Sequence, residues 1–130
     1  MSGKTTMPEM YWPLMHLPPE TVEIIENARF CVVCGATWPL NRHHIVPRSA
    51  GELYENGKKV RKVCAMLCGS GNTSGCHKLA HSRMLHFRNN GGDLEYLRTE
   101  RPTKYLKALD MAGWLKLEVP PEPVVFGRKS

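Results

Sequence analysis

Two adjacent histidines, His43-His44, are answered downstream by the run Cys76-His77-Lys78-Leu79-Ala80-His81. Neighbouring residues of a strand point to opposite faces, so the pair suits two different tasks. His77 and His81 stand four apart, which on a helix brings both imidazoles to one side, a turn from each other. One histidine of the pair together with these two could hold a metal ion, leaving the other free as a base. Base plus metal is the equipment for hydrolysing a phosphodiester, which needs an activated water, charge stabilisation and help for the departing oxygen. An imidazole titrating near pH ~6.5 can take a proton from water at neutral pH. One divalent cation can touch both a non-bridging oxygen and the leaving oxygen.

The cysteines suggest a second metal site. There are five, an odd number, and their arrangement is not that of a disulfide framework. Cys31 and Cys34 form a C-x2-C pair, while Cys68 and Cys76 frame a Gly-rich loop. In a reducing compartment such pairs read as metal ligands, and two pairs from separate knuckles would close a tetrahedral zinc site. The loop of the second pair is longer than usual, and Gly69, Gly71 and Gly75 let it fold back tightly. Cys64 is left over and reads as a small buried hydrophobe. Two alternatives stay open: five free cysteines in a small core, or a Cys3His site that takes His77 or His81 beside Cys76. A thiol redox protein fits poorly, because no βαβ pattern surrounds the C-x2-C.

The elements that must position these residues follow from periodicity and punctuation. Residues 1–18 carry Pro8, Pro13 and Pro18, with Pro19 directly after, and read as an arm. A helix is expected from Glu20 to Ala28, with Val22, Ile25 and Ala28 on one face. Leu40 to Val46 reads as a strand ended by Pro47, and Lys58 to Leu67 as the returning strand of a hairpin. A helix is expected from Cys76 to Arg88, with Ala80, Met84 and Phe87 buried and Asn89-Asn90-Gly91-Gly92 as its stop. Two shorter helices are expected at Leu94 to Arg98 and Thr103 to Met111. Pro120, Pro121 and Pro123 open an extended, basic tail over 119–130. The expected architecture is α+β, a single domain over 19–118 with a hairpin, a helix, a zinc knuckle and flanking helices.

Lys and Arg outnumber Asp and Glu by 18 to 12, a net charge of +6, and the pI is about 9.2. That excess suits an acidic partner such as DNA, and equally suits ordinary solubility. No stretch approaches the roughly 18 apolar residues that span a bilayer, so no membrane association is expected. The N-terminus lacks an apolar signal core, and a cytoplasmic location is expected.

In order, the chain reads Cys pair, His43-His44 strand, loop, strand, Cys pair, histidine helix. At this point it resembles the HNH endonuclease family, whose catalytic unit is a β-hairpin followed by a helix around one metal ion, the ββα-metal or His-Me finger. The resemblance is carried by Cys31-x-x-Cys34, His43-His44-Ile45-Val46-Pro47-Arg48-Ser49, Leu67-Cys68-Gly69-Ser70-Gly71 and Gly75-Cys76-His77-x-x-x-His81, over residues 30–88. It looks most like the small, phage-encoded type with a zinc knuckle. The resemblance implies a catalytic divalent ion (Mg²⁺, Mn²⁺, Ni²⁺ or Zn²⁺) held by His43, His77 and His81, with His44 as general base. It further implies structural zinc on Cys31, Cys34, Cys68 and Cys76, and products with 5′-phosphate and 3′-hydroxyl ends. A phage packaging partner such as a terminase, in a bacterial host cell, follows from the same resemblance.

One position departs from that family. Its middle asparagine, which braces the loop carrying the histidine pair, is replaced by Val63 and Cys64. Asn56 in the hairpin loop is the expected substitute, with Asn72 as the other candidate. Arg42, Arg48, Lys78 and Arg83 flank the expected site and could contact phosphates, or form a solvated charged face. His16 and His86 read as ordinary surface or hydrogen-bonded histidines, and Trp38 and Trp114 as packing residues. No row of base-reading side chains is visible, and phosphate contacts alone give affinity without sequence specificity. The alternative to a DNA endonuclease is a non-catalytic zinc module that binds nucleic acid or a protein.

Overall fold

The computed structural model describes residues 7–46, 53–70 and 73–117, and its architecture is mixed α+β with small sheets and short helices. Two helices come first, α1 (Met7–Met15) and α2 (Pro19–Asn27). Residues 7–18 are therefore not a loose arm: Tyr11, Leu14 and Leu17 are buried. Their i, i+3, i+6 spacing is a helical stripe, and it outweighs Pro13 inside the helix. The α2 helix lies where the sequence places it. Pro19 occupies its first turn, where a missing N–H costs nothing, and Ile25 and Ala28 are buried.

Strand β1 (Leu40–His44) pairs antiparallel with β4 (Cys64–Cys68), and between them β2 (Leu53–Glu55) and β3 (Lys58–Val60) form a separate two-stranded ribbon. The expected single strand from Lys58 to Leu67 is thus two strands with different partners. The reason lies in the pleat. Val63, Ala65 and Leu67 are buried at odd positions, whereas Val60 faces its own partner Leu53 from an even one. An uninterrupted strand would send Val60 and Val63 to opposite faces. The break falls at Arg61-Lys62-Val63. The ribbon turns through Asn56 (φ 54°) and Gly57 (φ 80°), the Asn-Gly pair that a tight hairpin turn demands.

The helix carrying the distal histidines, α3 (Gly75–His81), is also shorter than its apolar spacing suggests. Arg83 adopts the left-handed conformation at φ 62°. Its N–H reaches the Ala80 carbonyl at 3.2 Å, and the Met84 N–H reaches Leu79 at 2.9 Å. Those two bonds make a Schellman closure, with arginine where glycine is usual. The chain then extends as β5 (Leu85–Asn90), turns at Gly91-Gly92 and returns as β6 (Asp93–Arg98). Asn89-Asn90-Gly91-Gly92 is therefore a hairpin turn and not a helix stop, and the helix expected at Leu94 to Arg98 is a strand. Leu94 and Leu97 are buried on it. Helix α4 (Tyr105–Leu109) is a trimmed version of the expected Thr103 to Met111, and β7 (Leu115–Lys116) pairs with β6. Among the described residues no helix is long and apolar enough to cross a membrane. The tail over 119–130 lies outside the described residues.

One core joins these pieces. Leu14, Ile25, Val46, Ala65, Leu67, Phe87 and Leu94 share it with Cys31, Cys68 and Cys76. The β2–β3 ribbon is tethered to α1 by His16, whose Nδ1–H goes to the Trp12 carbonyl at 2.8 Å while Nε2 faces Glu55 at 2.9 Å. With Nδ1–H so engaged, Nε2 can donate to Glu55 only as the imidazolium. The Glu55 hydrogen bond, and after it the Trp12 carbonyl, raise the His16 pKa above its ordinary value. The tether is therefore complete below the usual imidazole range and is lost as pH rises through the raised value. Glu55→Gln is expected to bring the His16 midpoint down in an NMR titration; an unmoved midpoint would refute the tether.

Candidate functional site

Two donor clusters form where β1, β4 and α3 meet. In the first, ligand atoms of Cys31, Cys34, Cys68 and Cys76 all lie within 4.8 Å of one another. The C-x2-C turn is built by the Cys31 N–H bonding the Ala36 carbonyl at 2.7 Å and the Gly35 N–H bonding Cys31 at 2.8 Å. Gly35, at φ 85°, makes the tight reversal. The other pair sits at the end of β4 and the start of α3, with the Cys76 N–H directed at the Cys68 sulfur at 3.4 Å. Cys34 and Cys68 sulfurs are 3.5 Å apart.

The loop joining Cys68 to Cys76 closes on itself through glycine. A Cβ on Gly69 (φ 104°) would overlap the Ser74 carbonyl, and one on Gly75 (φ 71°) would come within 2.5 Å of the Cys68 carbonyl oxygen. Asn41 adds a side-chain bond to the Gly69 carbonyl at 2.6 Å. Gly69→Ala or Gly75→Ala is expected to cost at least the ~1–3 kcal/mol of a strained backbone, lowering the melting temperature and separating the second cysteine pair. A melting temperature equal to that of the parent protein would contradict the cradle.

The electrostatics of the thiols favour a cation. The Cys31 thiol is shifted well below its usual range, first by the hydrogen bond from Cys76, with backbone N–H groups of Cys34, Cys68 and Val33 adding to it against the effect of burial. Cys76 is pushed up by that same bond and by burial, and burial also raises Cys34. Four sulfurs gathered together, three of them buried and that of Cys34 exposed, suit a cation that stabilises their charged form. The donor set fits a soft, tetrahedral ion.

The second cluster contains three imidazoles. His43 from β1 and His77 and His81 from α3 place ligand nitrogens within 4.8 Å of each other. Ring centroids are 5.1 Å apart for His43 with either helix histidine and 4.8 Å between the two. The Nε2 atoms of His77 and His81 approach to 3.2 Å. Burial lowers the His43 pKa to about 3, with His77, His81 and His44 adding charge repulsion. Burial, and then His81, lower that of His77 as well. Three imidazoles with ligand nitrogens this close together could hold a metal. No histidine enters the thiol cluster, so the described donors divide into four sulfurs and three imidazoles, and the Cys3His arrangement is not formed.

His44 is exposed, on the face of β1 opposite His43, directly across from Cys64. Arg42 shares that face, but its guanidinium is already engaged: Nε donates to the Glu26 carbonyl and Nη2 to Asn27 Oδ1, each at 2.8 Å. Lys78 on α3 and Arg83 just after it are exposed. Arg48 and Asn72 lie outside the described residues. Asn56 sits at the tip of the ribbon, where the turn accounts for it. Cys64 stays outside the thiol cluster and is half-buried.

The tryptophans behave differently from expectation. Trp38 is 84% exposed, so it is not a packing residue; it follows the cysteine knuckle in a stretch where the chain has left the core. Trp114 is half-buried under the Arg88 guanidinium, 4.6 Å from the ring centroid. His16 and His86 are hydrogen-bonded as expected, His86 buried with Nε2 bonded to the Arg83 carbonyl at 2.9 Å. The residues that sequence reasoning missed are Glu26, Arg61 and Asn41. One signal was available for Glu26: it lies four residues after Val22 and next to Ile25, on the stripe that packs inward. Comparison of the chain with protein-family models, curated proteins and solved structures gave no match.

Proposed function

We propose that the protein is a metal-dependent DNA endonuclease of the HNH type, with a ββα-metal core built from β1, β4 and α3 and a structural zinc on the four cysteines. The observation that carries this reading is the separation of the donors. Three imidazoles converge from a strand and a helix, and a fourth, His44, is adjacent in sequence and outside their cluster. A module that only bound nucleic acid would need the sulfur cluster but not a spare imidazole beside a second donor set.

On this reading His43, His77 and His81 hold the catalytic divalent ion. When bound, that ion supplies Lewis-acid stabilisation of the phosphate and of the leaving oxygen. His44, exposed to solvent at its strand edge, takes the proton from the attacking water. The β1–β4 pair and α3 keep the imidazoles on rigid elements. On the same reading Lys78 within α3 and Arg83 beyond it, both exposed, would meet flanking phosphates. A terminase-like partner and the phage setting rest on the sequence resemblance alone. Val63 is buried and apolar where that resemblance expects a bracing asparagine.

Conversion of supercoiled plasmid tests the reading, with EDTA or with Mg²⁺, Mn²⁺, Ni²⁺ or Zn²⁺ added. Nicking or linearisation that requires a divalent ion is the expected result. Folded, zinc-loaded protein that fails to cleave with any of these ions would overturn it and favour the non-catalytic zinc module.

A further inference from the structure

Glu26 sits in the last turn of α2 and is only 7% exposed, an uncommon position for a carboxylate. Its two oxygens receive both terminal nitrogens of Arg61, one at 2.8 Å, and Oε2 also accepts the backbone N–H of Cys64 at 2.9 Å. Cys64 opens β4 directly across from His44. One residue earlier, the Val63 carbonyl accepts the N–H of Ile45, the residue after His44, at 3.0 Å. From the other strand, Arg42 bonds the Glu26 carbonyl and Asn27. The end of α2 is thus tied both to the strand that carries His44 and to its partner β4.

The ion pair alone does not account for this placement. The pair stabilises the fold by compensating a buried carboxylate, but the Arg61 side chain is 67% exposed and water could solvate it without a buried partner. The Cys64 N–H, by contrast, lies where β4 begins, and the carboxylate is the acceptor it has found. Burial works to raise the Glu26 pKa, but Arg61, the Cys64 N–H and Arg42 together hold it below the ordinary value, so the acceptor stays charged.

We propose that Glu26 is a positioning residue for His44, its carboxylate anchoring the start of β4 through the Cys64 N–H and thereby setting the strand edge that presents the base. The proposal rests on the nuclease reading above. It separates the two bonds that Glu26 makes: the one to Cys64 governs turnover, and the one to Arg61 governs only stability.

Four variants test it by cleavage of supercoiled plasmid, with saturating rate, half-saturating DNA concentration, metal content and melting temperature measured for each. Glu26→Leu keeps the volume but removes the acceptor, and the saturating rate is expected to fall on the order of 10²-fold, as for a small misplacement of a reacting group. DNA half-saturation and metal content should be unchanged. Glu26→Gln keeps an acceptor oxygen and should restore most of the rate. Arg61→Met should lower the melting temperature while leaving the rate near that of the parent. Should Glu26→Leu fail to fold, Glu26→Asp, whose shorter side chain falls short of Cys64, carries the same expectation. Rates that track melting temperature across the set would overturn the proposal, as would a fully active Glu26→Leu. A parent protein with no cleavage overturns the nuclease reading and this inference together; an active parent with an equally active Glu26→Leu overturns the inference alone.

Discussion

His44→Ala is expected to reduce metal-dependent plasmid cleavage on the order of 10²–10⁴-fold, the usual contribution of a positioned general base. The side chain is exposed on β1 and makes no contribution to the core, so folding and zinc content should match the parent protein. His43→Ala provides the contrast. It removes one of the three converging nitrogens, so its loss of activity should come with weaker binding of the catalytic ion. The two neighbours therefore differ in what added metal does: excess divalent ion recovers part of the His43→Ala activity and none of the His44→Ala activity. Cleavage by His44→Ala at the parental rate would remove the base from the mechanism.

Stripping metal from the cysteine cluster is expected to unfold the domain. Structural zinc contributes about 10–16 kcal/mol of apparent binding free energy, which matches or exceeds the ~5–15 kcal/mol net stability of a typical domain. Cys31, Cys68 and Cys76 belong to the same buried core as Leu14, Ile25 and Leu67, so the cluster is not an appendage that can open alone. Cys31→Ser and Cys68→Ser should each lose the far-UV and near-UV dichroism of the parent at room temperature, or melt far below it, with zinc absent by elemental analysis. A normal melt without zinc, in either variant or in chelator-treated parent protein, would refute a structural zinc site.

The donor residues were legible because their chemistry is local. C-x2-C, H-x3-H and the adjacent histidine pair each name an atom type and a spacing, and the structure brings both groups together. Helix α2 was legible from its apolar residues at helical spacing, whereas β1, Leu40-Asn41-Arg42-His43-His44, has no apolar run and was marked by the Pro47 that follows Val46. The segment after His81 was not legible. Ala80, Met84 and Phe87 fit a helical stripe, while Leu85 and Phe87 equally fit a strand, and the decision fell to Arg83 in a conformation that arginine seldom adopts. Once the chain leaves α3, Gly91-Gly92 becomes a hairpin turn. Residues 7–18 misled in the opposite way, since prolines there outweighed the stripe of Tyr11, Leu14 and Leu17. Glu26 and Arg61 could not be paired from sequence at all, being separated by 35 positions and joined only by folding.

The shared helix α3 has a further consequence. Cys76 and His77 are consecutive, so a sulfur donor of one cluster and a nitrogen donor of the other are carried by adjoining peptide units. The Schellman closure at Arg83 shuts the helix just beyond His81, leaving α3 no length in which to absorb a shift. On the proposed reading the two ions are therefore acquired in sequence: zinc on the sulfurs seats the first turn of α3, and only then do His77 and His81 meet His43. Protein depleted of zinc should have lost its affinity for the second ion, whereas protein depleted of the second ion should keep its zinc. On that reading the chain would acquire its chemistry last, as the final step of its own maturation.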